Sequence, residues 1–328
     1  MYNNYIIAVV IPAFNVKSKI FSVLDNIPAE VDQIYLVDDF CPEKTGKFVL
    51  EKKNINKLKV IFHNKNKGVG GALKTGYLLA LQNRAEIIVK IDGDGQMDPK
   101  LIFKFIDPII FKKNDYSKGN RLSNLKNFLI FPKTRLFGNL ILSLIAKFST
   151  GYWDILDPCN GYVAIKALVL KKIKIERISN DFFFETSLLF ELSMIDARVI
   201  DVSMKANYLE NKSNLKIYKI IPKFLYMHLF YFFKRIYYVY YYSKKTFASL
   251  VLAVGLILLS INVIIYSYHW YNLSFNKIIT STETFKILKI SFILNILFLI
   301  FFIYMDIKFY FNKLIEKSSV KKRNDKKF

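Results

Sequence analysis

Three aspartates follow an apolar segment that is typical of a buried strand. Residues 87–91 are apolar apart from one lysine, and Asp92, Asp94 and Asp98 come directly after them, with glycines at positions 93 and 95. In an open α/β sheet, ligands bind beyond the carboxyl ends of the strands. Carboxylates two residues apart in a glycine-rich turn can bind a hard divalent cation. We therefore predict that Asp92 and Asp94 bind a metal ion.

Two other structures could account for this acidic segment. An EF-hand loop is excluded, because Met97 stands where the obligatory glycine should be and Phe103 where the bidentate glutamate should be. A turn that caps a helix starting near Pro99 explains Asp98. Such a turn does not require Asp92 or Asp94, and a metal site is therefore favoured for those two.

Two further segments could bind a nucleotide. Asp38 and Asp39 close the second predicted strand, where carboxylates can accept hydrogen bonds from a ribose or a nucleobase, although turn capping explains them equally well. Residues 66–74 (NKGVGGALK) precede a helix, and their glycines beside Lys67 would suit a phosphate. The segment is neither a Rossmann fingerprint nor a Walker A motif, and a simple strand-to-helix turn is an equal alternative.

The first 210 residues alternate strand and helix patterns, which predicts an α/β fold with a largely parallel sheet. Helices are predicted between the earlier strands, for example at residues 71–82 and 99–110. Strands are predicted at residues 5–11, 33–38, 58–63, 86–91, 115–120 and 198–202. The acidic residues described above follow these strands, so the sheet would position them.

The C-terminal third has a different pattern. Residues 247–268 are long and apolar enough to span a bilayer, and residues 290–305 predict a second span, with one span plus a buried helix as the alternative. Basic residues flank both spans, which places the flanks in the cytoplasm. Residues 217–242 are aromatic with interspersed basic residues. They predict helices that lie on the cytoplasmic leaflet, a packed helix of the preceding domain being the alternative.

Composition excludes several classes of protein. The 328 residues include 49 Lys and Arg against 26 Asp and Glu, and 53% are hydrophobic. So much apolar surface excludes a disordered chain, and its combination with basic charge fits a membrane surface better than a plain soluble enzyme. A nucleic-acid binder is disfavoured, because the basic residues flank apolar spans and no binding signature is present. Two cysteines exclude a disulfide framework, and three histidines argue against a histidine-rich metal site.

Six short motifs occur in an order that resembles a known family. They are residues 10–15 (VIPAFN), 37–39 (VDD), 66–68 (NKG), 92–96 (DGDGQ), 119–121 (GNR) and 157–162 (DPCNGY). With them the chain resembles family-two glycosyltransferases of the GT-A fold, in the membrane-anchored polyprenyl-phosphate branch that includes dolichyl-phosphate mannose synthase. The resemblance covers about residues 5–215. It implies a Rossmann-like GT-A catalytic domain (1–215), interfacial helices (216–245), two transmembrane helices (246–306) and a basic cytoplasmic tail (307–328).

The resemblance also implies a cofactor and a nucleotide pocket. Asp92 and Asp94 match a DXD motif and Gln96 matches a metal-associated glutamine, so the cofactor would be Mg²⁺ or Mn²⁺. The positions expected to bind the nucleotide-sugar are Pro12, Ala13, Asn15, Asp38, Asp39, Lys67, Gly68, Asp92 and Gly93.

Other positions match residues that bind anions or lie near the acceptor. Arg121 matches an arginine near the donor diphosphate or the acceptor phosphate, Arg135 fits a second anion-binding arginine, and Asp157 matches an acidic position near the acceptor. One departure concerns a loop in which relatives usually carry arginine where Asn207 stands. Lys205 or Lys212 could supply the missing charge.

The implied reaction is an inverting transfer of a hexose from a UDP- or GDP-sugar to a polyprenyl phosphate, catalysed by a multi-pass membrane enzyme with its catalytic domain in the cytoplasm. Assembly into a homo-oligomer is a further expectation. The alternatives are a transferase that extends a lipid-linked saccharide at a sugar hydroxyl, with Asp157 or Glu185 as the base, and a non-catalytic membrane scaffold. A processive polysaccharide synthase is disfavoured, because the motif Gln-x-x-Arg-Trp is not found in the sequence.

Overall fold

The computed structural model describes residues 1–52, 54–123, 133–205, 217–243, 246–275 and 282–324. The chain forms two compact units, Met1–Phe233 and Lys234–Phe328. The first unit contains the sheet and the residues predicted to carry chemistry. The second contains the long apolar helices.

Seven strands of the described residues form one mixed, mostly parallel sheet. The spatial order is β3-β2-β1-β4-β6-β5-β7, and β6 runs antiparallel to both of its neighbours while the remaining pairs are parallel. The strands are β1 Ile7–Ala13, β2 Gln33–Asp38, β3 Leu58–Phe62, β4 Ile87–Lys90, β5 Tyr116–Asn120, β6 Val163–Lys166 and β7 Val199–Ser203. The predicted α/β fold with a largely parallel sheet is thus confirmed, and β6 is the strand that the sequence patterns missed.

Helices cover both faces of this sheet. In β1 the side chains from Ile7 to Ile11 are all fully buried, as expected for a strand covered on both sides. On one face Val9 and Ile11 share a core cluster with apolar residues of the helix that follows β4. On the other, Gly76 lies so close to β1 that a Cβ added to it would be 2.2 Å from Val10 Cγ1. The helices of this unit are α1 Ile20–Leu24, α2 Thr45–Lys52, α3 Val69–Gln82, α4 Ile102–Ile110, α5 Lys133–Thr150, α6 Ala167–Leu170, α7 Phe184–Met194 and most of α8 Ile217–Ile236.

The turn after the acidic segment has the predicted capping geometry. Asp98 precedes a 3₁₀ turn, Pro99–Leu101, that continues into α4, and its carboxylate accepts a hydrogen bond of 3.0 Å from the main-chain N–H of Lys100. This carboxylate therefore has the structural role expected of it, and it leaves Asp92 and Asp94 for other functions.

Helix α8 is packed on one side and exposes apolar side chains on the other. Tyr231 packs against Phe183 and Phe190, and His228 forms a 2.8 Å hydrogen bond with Ser149 of α5. The alternative prediction for residues 217–242, a packed helix of the preceding domain, therefore describes one side of α8. Its large exposed apolar side chains within the first unit are Leu225, Tyr226, Leu229, Phe230 and Phe233. The interfacial placement of these helices stays a prediction.

The second unit contains two helices long and apolar enough to cross a membrane. They are α9 Phe247–Phe275 and α10 Thr282–Asn324, the latter through its segment Lys286–Asn312. The two pack closely where α9 carries a glycine, since the Nδ2 of Asn295 donates a 2.7 Å hydrogen bond to the carbonyl oxygen of Gly255. Both predicted spans thus correspond to continuous helices.

Candidate functional site

The acidic loop begins directly after β4. Asp92 and Asp94 are both half-buried, and the carboxylate of Asp94 accepts a 3.0 Å hydrogen bond from the main-chain N–H of Gln96. The turn passes through Gly95 at φ +76°, a conformation that favours glycine. Burial and the negative charge of Asp92 raise the pKa of Asp94 above its ordinary value. The carboxylates of Asp92 and Asp94 thus lie close enough, at the edge of the sheet, for their negative charges to repel each other.

The β1–α1 loop lies against the acidic loop. A Cβ added to Gly93 would be 3.1 Å from Val16 Cγ2, so only a small residue fits there without displacing its neighbours. Of the predicted nucleotide-binding residues, Pro12 and Ala13 end β1, and Asn15 lies in the loop immediately before Val16. The end of β1 and the start of the acidic loop therefore belong to one region of the first unit.

The ends of β1 and β2 are paired side by side. Ala13 is in register with Asp38, and the N–H of Asp39 donates to the carbonyl oxygen of Ala13 at 3.1 Å. The carboxylate of Asp38 is buried and accepts hydrogen bonds from the N–H groups of Cys41 (2.8 Å) and Gly46 (2.7 Å). Asp38 therefore shapes the turn after β2, in agreement with the capping alternative.

Asp39 ties the start of α3 to the same edge of the sheet. Its carboxylate accepts hydrogen bonds of 2.8 Å from the N–H groups of both Lys67 and Gly68, and it pairs with His63 Nδ1 at 2.7 Å. The N–H of Gly71 bonds to the carbonyl oxygen of Asn180. Several donors at this helix start are thus satisfied within the protein, while the Lys67 side chain is exposed. The nucleotide-binding roles of Lys67, Gly68 and Asp39 stay predictions.

Arg121 and Asp157 form an ion pair beyond β5. Arg121 Nε lies 2.7 Å from Asp157 Oδ2 and Arg121 Nη2 lies 3.0 Å from Oδ1. Asp157 is buried, and Asn160 Nδ2 donates a further, longer hydrogen bond to it. The structure thus brings together Arg121, which the resemblance placed near the donor diphosphate or the acceptor phosphate, and Asp157, which it placed near the acceptor.

The segment 157–161 connects this ion pair to the acidic loop. At one end Asp157 binds Arg121, and at the other a Cβ added to Gly161 would lie 3.0 Å from Asp92 Oδ2. This segment leads directly into β6, the strand that lies between β4 and β5. Strand β6, which the sequence patterns missed, therefore connects the ion pair and the acidic loop.

Two buried lysines flank β6 and were not recognised from the sequence. Lys90 of β4 and Lys118 of β5 are both in register with Val163, and both are at most 1% exposed. Lys90 Nζ lies 2.6 Å from Asp92 Oδ1, and Lys118 Nζ donates to the carbonyl oxygen of Asn160. For Lys90 the available signal was a lysine in an otherwise apolar strand, whereas the polar sequence of β5 (YSKGN) gave no such signal for Lys118.

Glu185 lies in the first turn of α7, within electrostatic range of these lysines. Burial raises the pKa of Glu185 to about 7, and the charges of Lys90 and Lys118 oppose that rise. Near neutral pH both protonation states of this carboxyl are populated, which is a property of general bases.

Three of the positions discussed above lie partly or wholly outside the described part of the structure. Arg135 lies in α5, but its side chain is outside the described part of the structure, and Asn207 and Lys212 lie outside the described residues. Lys205, the other candidate for the missing charge, is exposed.

The residues of the acidic loop suit a divalent cation. The described residues contain no ready-made group of three or more His, Cys, Asp or Glu side chains around a metal position. Asp92 and Asp94 nevertheless supply carboxylate oxygens and Gln96 an amide oxygen, which are the ligand types that Mg²⁺ and Mn²⁺ prefer. A cation would also relieve the repulsion that raises the pKa of Asp94.

Fold and site together define a GT-A-type glycosyltransferase domain. The chain belongs to glycosyl transferase family 2, since the model of that family matches residues 8–174. The match covers the sheet from β1 to β6, including the acidic loop and the Arg121–Asp157 pair. The resemblance seen in the six motifs is thereby confirmed.

Several relatives carry the names of transferases that act on polyprenyl phosphates. A UDP-N-acetylglucosamine–dolichyl-phosphate N-acetylglucosaminyltransferase from Methanococcus voltae is 37% identical over 180 residues, covering 51% of this chain and 71% of the relative. A dolichol-phosphate mannosyltransferase from Pyrococcus furiosus is 27% identical over 55% of this chain and 51% of its own. An undecaprenyl-phosphate mannosyltransferase from Micrococcus luteus is 23% identical over 59% of this chain and 80% of its own.

Solved structures confirm the fold. Glucosyl-3-phosphoglycerate synthase from Mycobacterium tuberculosis, crystallised with Mn²⁺, UDP and glucosyl-3-phosphoglycerate, matches with a TM-score of 0.53 at 18% identity, over 71% of this chain and 80% of that chain. The same enzyme has been crystallised with Mg²⁺ and UDP. A likeness at this level of identity shows a shared GT-A architecture.

Proposed function

We propose that the protein transfers a hexose from a nucleotide-sugar to a polyprenyl phosphate, with inversion at the anomeric carbon, at the cytoplasmic face of a membrane. The observation that carries this proposal is the Arg121–Asp157 pair, joined to the acidic loop by residues 157–161. The names of the relatives and the two helices of membrane-spanning length support it.

Charge develops on the leaving nucleoside diphosphate as the glycosidic bond breaks. A Mg²⁺ or Mn²⁺ ion held by Asp92, Asp94 and Gln96 would supply Lewis-acid stabilisation of that charge. Asp157 orients the guanidinium of Arg121 through two hydrogen bonds, and a guanidinium held in this way is suited to bind a phosphate. The proposed role of Arg121 is therefore to orient the diphosphate or the acceptor phosphate.

The structure supports a phosphate acceptor over a sugar hydroxyl in one respect. A phosphate is already anionic near neutral pH and needs little help from a base, whereas a hydroxyl requires one. Both carboxylate oxygens of Asp157 accept hydrogen bonds from Arg121, which makes Asp157 a poor base. The second candidate function, extension of a lipid-linked saccharide at a hydroxyl, is favoured by Glu185 alone, whose pKa of about 7 suits a general base.

A donor screen tests the proposal. The full chain in detergent, with Mn²⁺ and a polyprenyl phosphate, is offered UDP- and GDP-sugars, and the lipid products are analysed by mass spectrometry. The expected product is a polyprenyl monophosphate carrying one hexose, formed by wild type and not by Asp94→Asn. Turnover with a lipid-linked saccharide but not with a polyprenyl phosphate would favour the second function. A scaffold would show no metal-dependent thermal shift with any nucleotide-sugar.

A further inference from the structure

Lys90 is a buried lysine in the strand that leads into the acidic loop. Its side chain is 1% exposed, and its Nζ lies 2.6 Å from Asp92 Oδ1, whereas the side chain of Asp92 is 30% exposed. A buried ammonium group without an anionic partner is costly, so Lys90 holds Asp92 more firmly than a surface lysine would. The pairing is therefore a fixed feature of the strand end.

Two neighbouring residues build a site around this ammonium. A Cβ added to Gly161 would lie only 2.2 Å from Lys90 Nζ and 3.0 Å from Asp92 Oδ2, so the absence of a side chain at Gly161 creates the space that the ammonium occupies. The ring of Phe184 lies 5.1 Å from Nζ, within the range of a cation–π interaction. Three separate segments, β4, residues 157–161 and the start of α7, thus converge on the Lys90 ammonium.

We propose that the Lys90 ammonium is a built-in cation of the acidic loop, which takes Asp92 as its partner and leaves Asp94, with Gln96, as the main protein ligands of the divalent ion. This inference rests on the proposed function. The two aspartates and Lys90 together carry one net negative charge, and an ammonium beside Asp92 repels a divalent cation. The metal ion therefore binds weakly to the protein alone and needs the diphosphate of the donor to complete its ligands.

Metal binding without nucleotide tests this inference independently of sugar transfer. Free Mn²⁺ is followed by electron paramagnetic resonance as it is titrated into the full chain in detergent. Lys90→Met, which keeps the length and apolar body of the side chain but removes the charge, should tighten Mn²⁺ binding about tenfold. Lys112→Met, at an exposed lysine, is the matched control and should leave the affinity unchanged.

Two further variants guard against a purely structural effect. Gly161→Ala keeps the lysine but displaces its ammonium, so it should tighten Mn²⁺ binding by a smaller factor. Asp94→Asn should weaken Mn²⁺ binding more than Asp92→Asn does, because Asp92 is already paired.

Two results would overturn the inference in distinguishable ways. Measurable Mn²⁺ binding by wild type with unchanged or weaker binding by Lys90→Met would overturn it alone. No Mn²⁺ binding by either protein, both without nucleotide and with UDP added, would overturn it together with the metal part of the proposed function.

Discussion

Arg121 and Asp157 form a two-point ion pair in which only the arginine reaches water. The side chain of Asp157 is 1% exposed and that of Arg121 is 25% exposed, with the shorter contact, 2.7 Å, between Nε and Oδ2. The main-chain N–H of Arg121 adds a third hydrogen bond to the same carboxylate at 3.2 Å. The buried carboxylate of Asp157 therefore depends on Arg121 to compensate its charge. Arg121 depends less on Asp157, because water can solvate its guanidinium.

This asymmetry predicts unequal losses of stability. Arg121→Met leaves a carboxylate buried without its counter-charge and should lower the free energy of unfolding by about 3 kcal/mol. Asp157→Asn keeps the volume and leaves an arginine that water can solvate, so its loss should be clearly smaller. Denaturant unfolding of both variants in detergent provides the comparison. Equal losses, or a larger loss for Asp157→Asn, would contradict the asymmetry.

The nature of the acceptor predicts which side chains are indispensable. If the acceptor is a phosphate, Glu185→Gln should retain substantial turnover, because glutamine mimics the protonated form that a pKa of about 7 already populates. Arg135→Ala should abolish turnover, because the resemblance assigns anion binding to Arg135. The turnover rates of both variants with a polyprenyl phosphate acceptor provide the test. The opposite pattern would favour a hydroxyl acceptor activated by Glu185.

His228 predicts a loss of stability in acid. Burial lowers the pKa of this imidazole to about 4, below its ordinary value of 6.5, so the folded state keeps it neutral while the unfolded state takes up a proton. Stability is thus complete above pH 6.5 and falls, by up to about 3 kcal/mol, as the pH drops towards 4. His228→Gln, which can still bond to Ser149, should flatten this part of the profile of unfolding free energy against pH. A profile parallel to that of wild type would show that the histidine is not responsible.

Local patterns were sufficient for most of the sheet and for the acidic loop. β1, β2 and β4 are mostly apolar runs with a proline or an aspartate at or just beyond their ends, and such runs identify buried strands without knowledge of their partners. β6 has only four residues, and its place between β4 and β5 is decided by pairing with strands distant along the chain. Non-local pairing leaves no periodic signal in so short a segment.

The same limit applies to the site. Asp92 and Asp94 could be predicted because the strand end and the turn lie in one stretch of sequence. The contact between Arg121 and Asp157 joins residues 36 positions apart and could be reached only through a family resemblance. The role of Asp38 in shaping its own turn was one of two open alternatives, and the hydrogen bonds that establish it are visible only in the structure, while its nucleotide-binding role stays a prediction.

In the second unit a buried ion pair joins the last turn of α8 to the interior of α10. Arg235 Nη1 and Nη2 lie 2.9 and 3.0 Å from the two carboxylate oxygens of Asp306, and Tyr240 donates a further hydrogen bond of 2.5 Å to Asp306 Oδ1. Both charged side chains are at most 6% exposed. Asp306 directly follows the second predicted span, residues 290–305, and it is thus buried and paired with Arg235.

Because this pair is buried, removing one charge should cost more than removing both. Asp306→Leu removes the carboxylate partner of the buried Arg235 guanidinium and should lower the free energy of unfolding in detergent by about 3 kcal/mol, whereas the double variant Arg235→Met with Asp306→Leu should recover much of that loss. Lys308→Ala, at an exposed position two residues along the same helix, is the control and should change stability little. A double variant no more stable than Asp306→Leu would contradict the mutual dependence of Arg235 and Asp306.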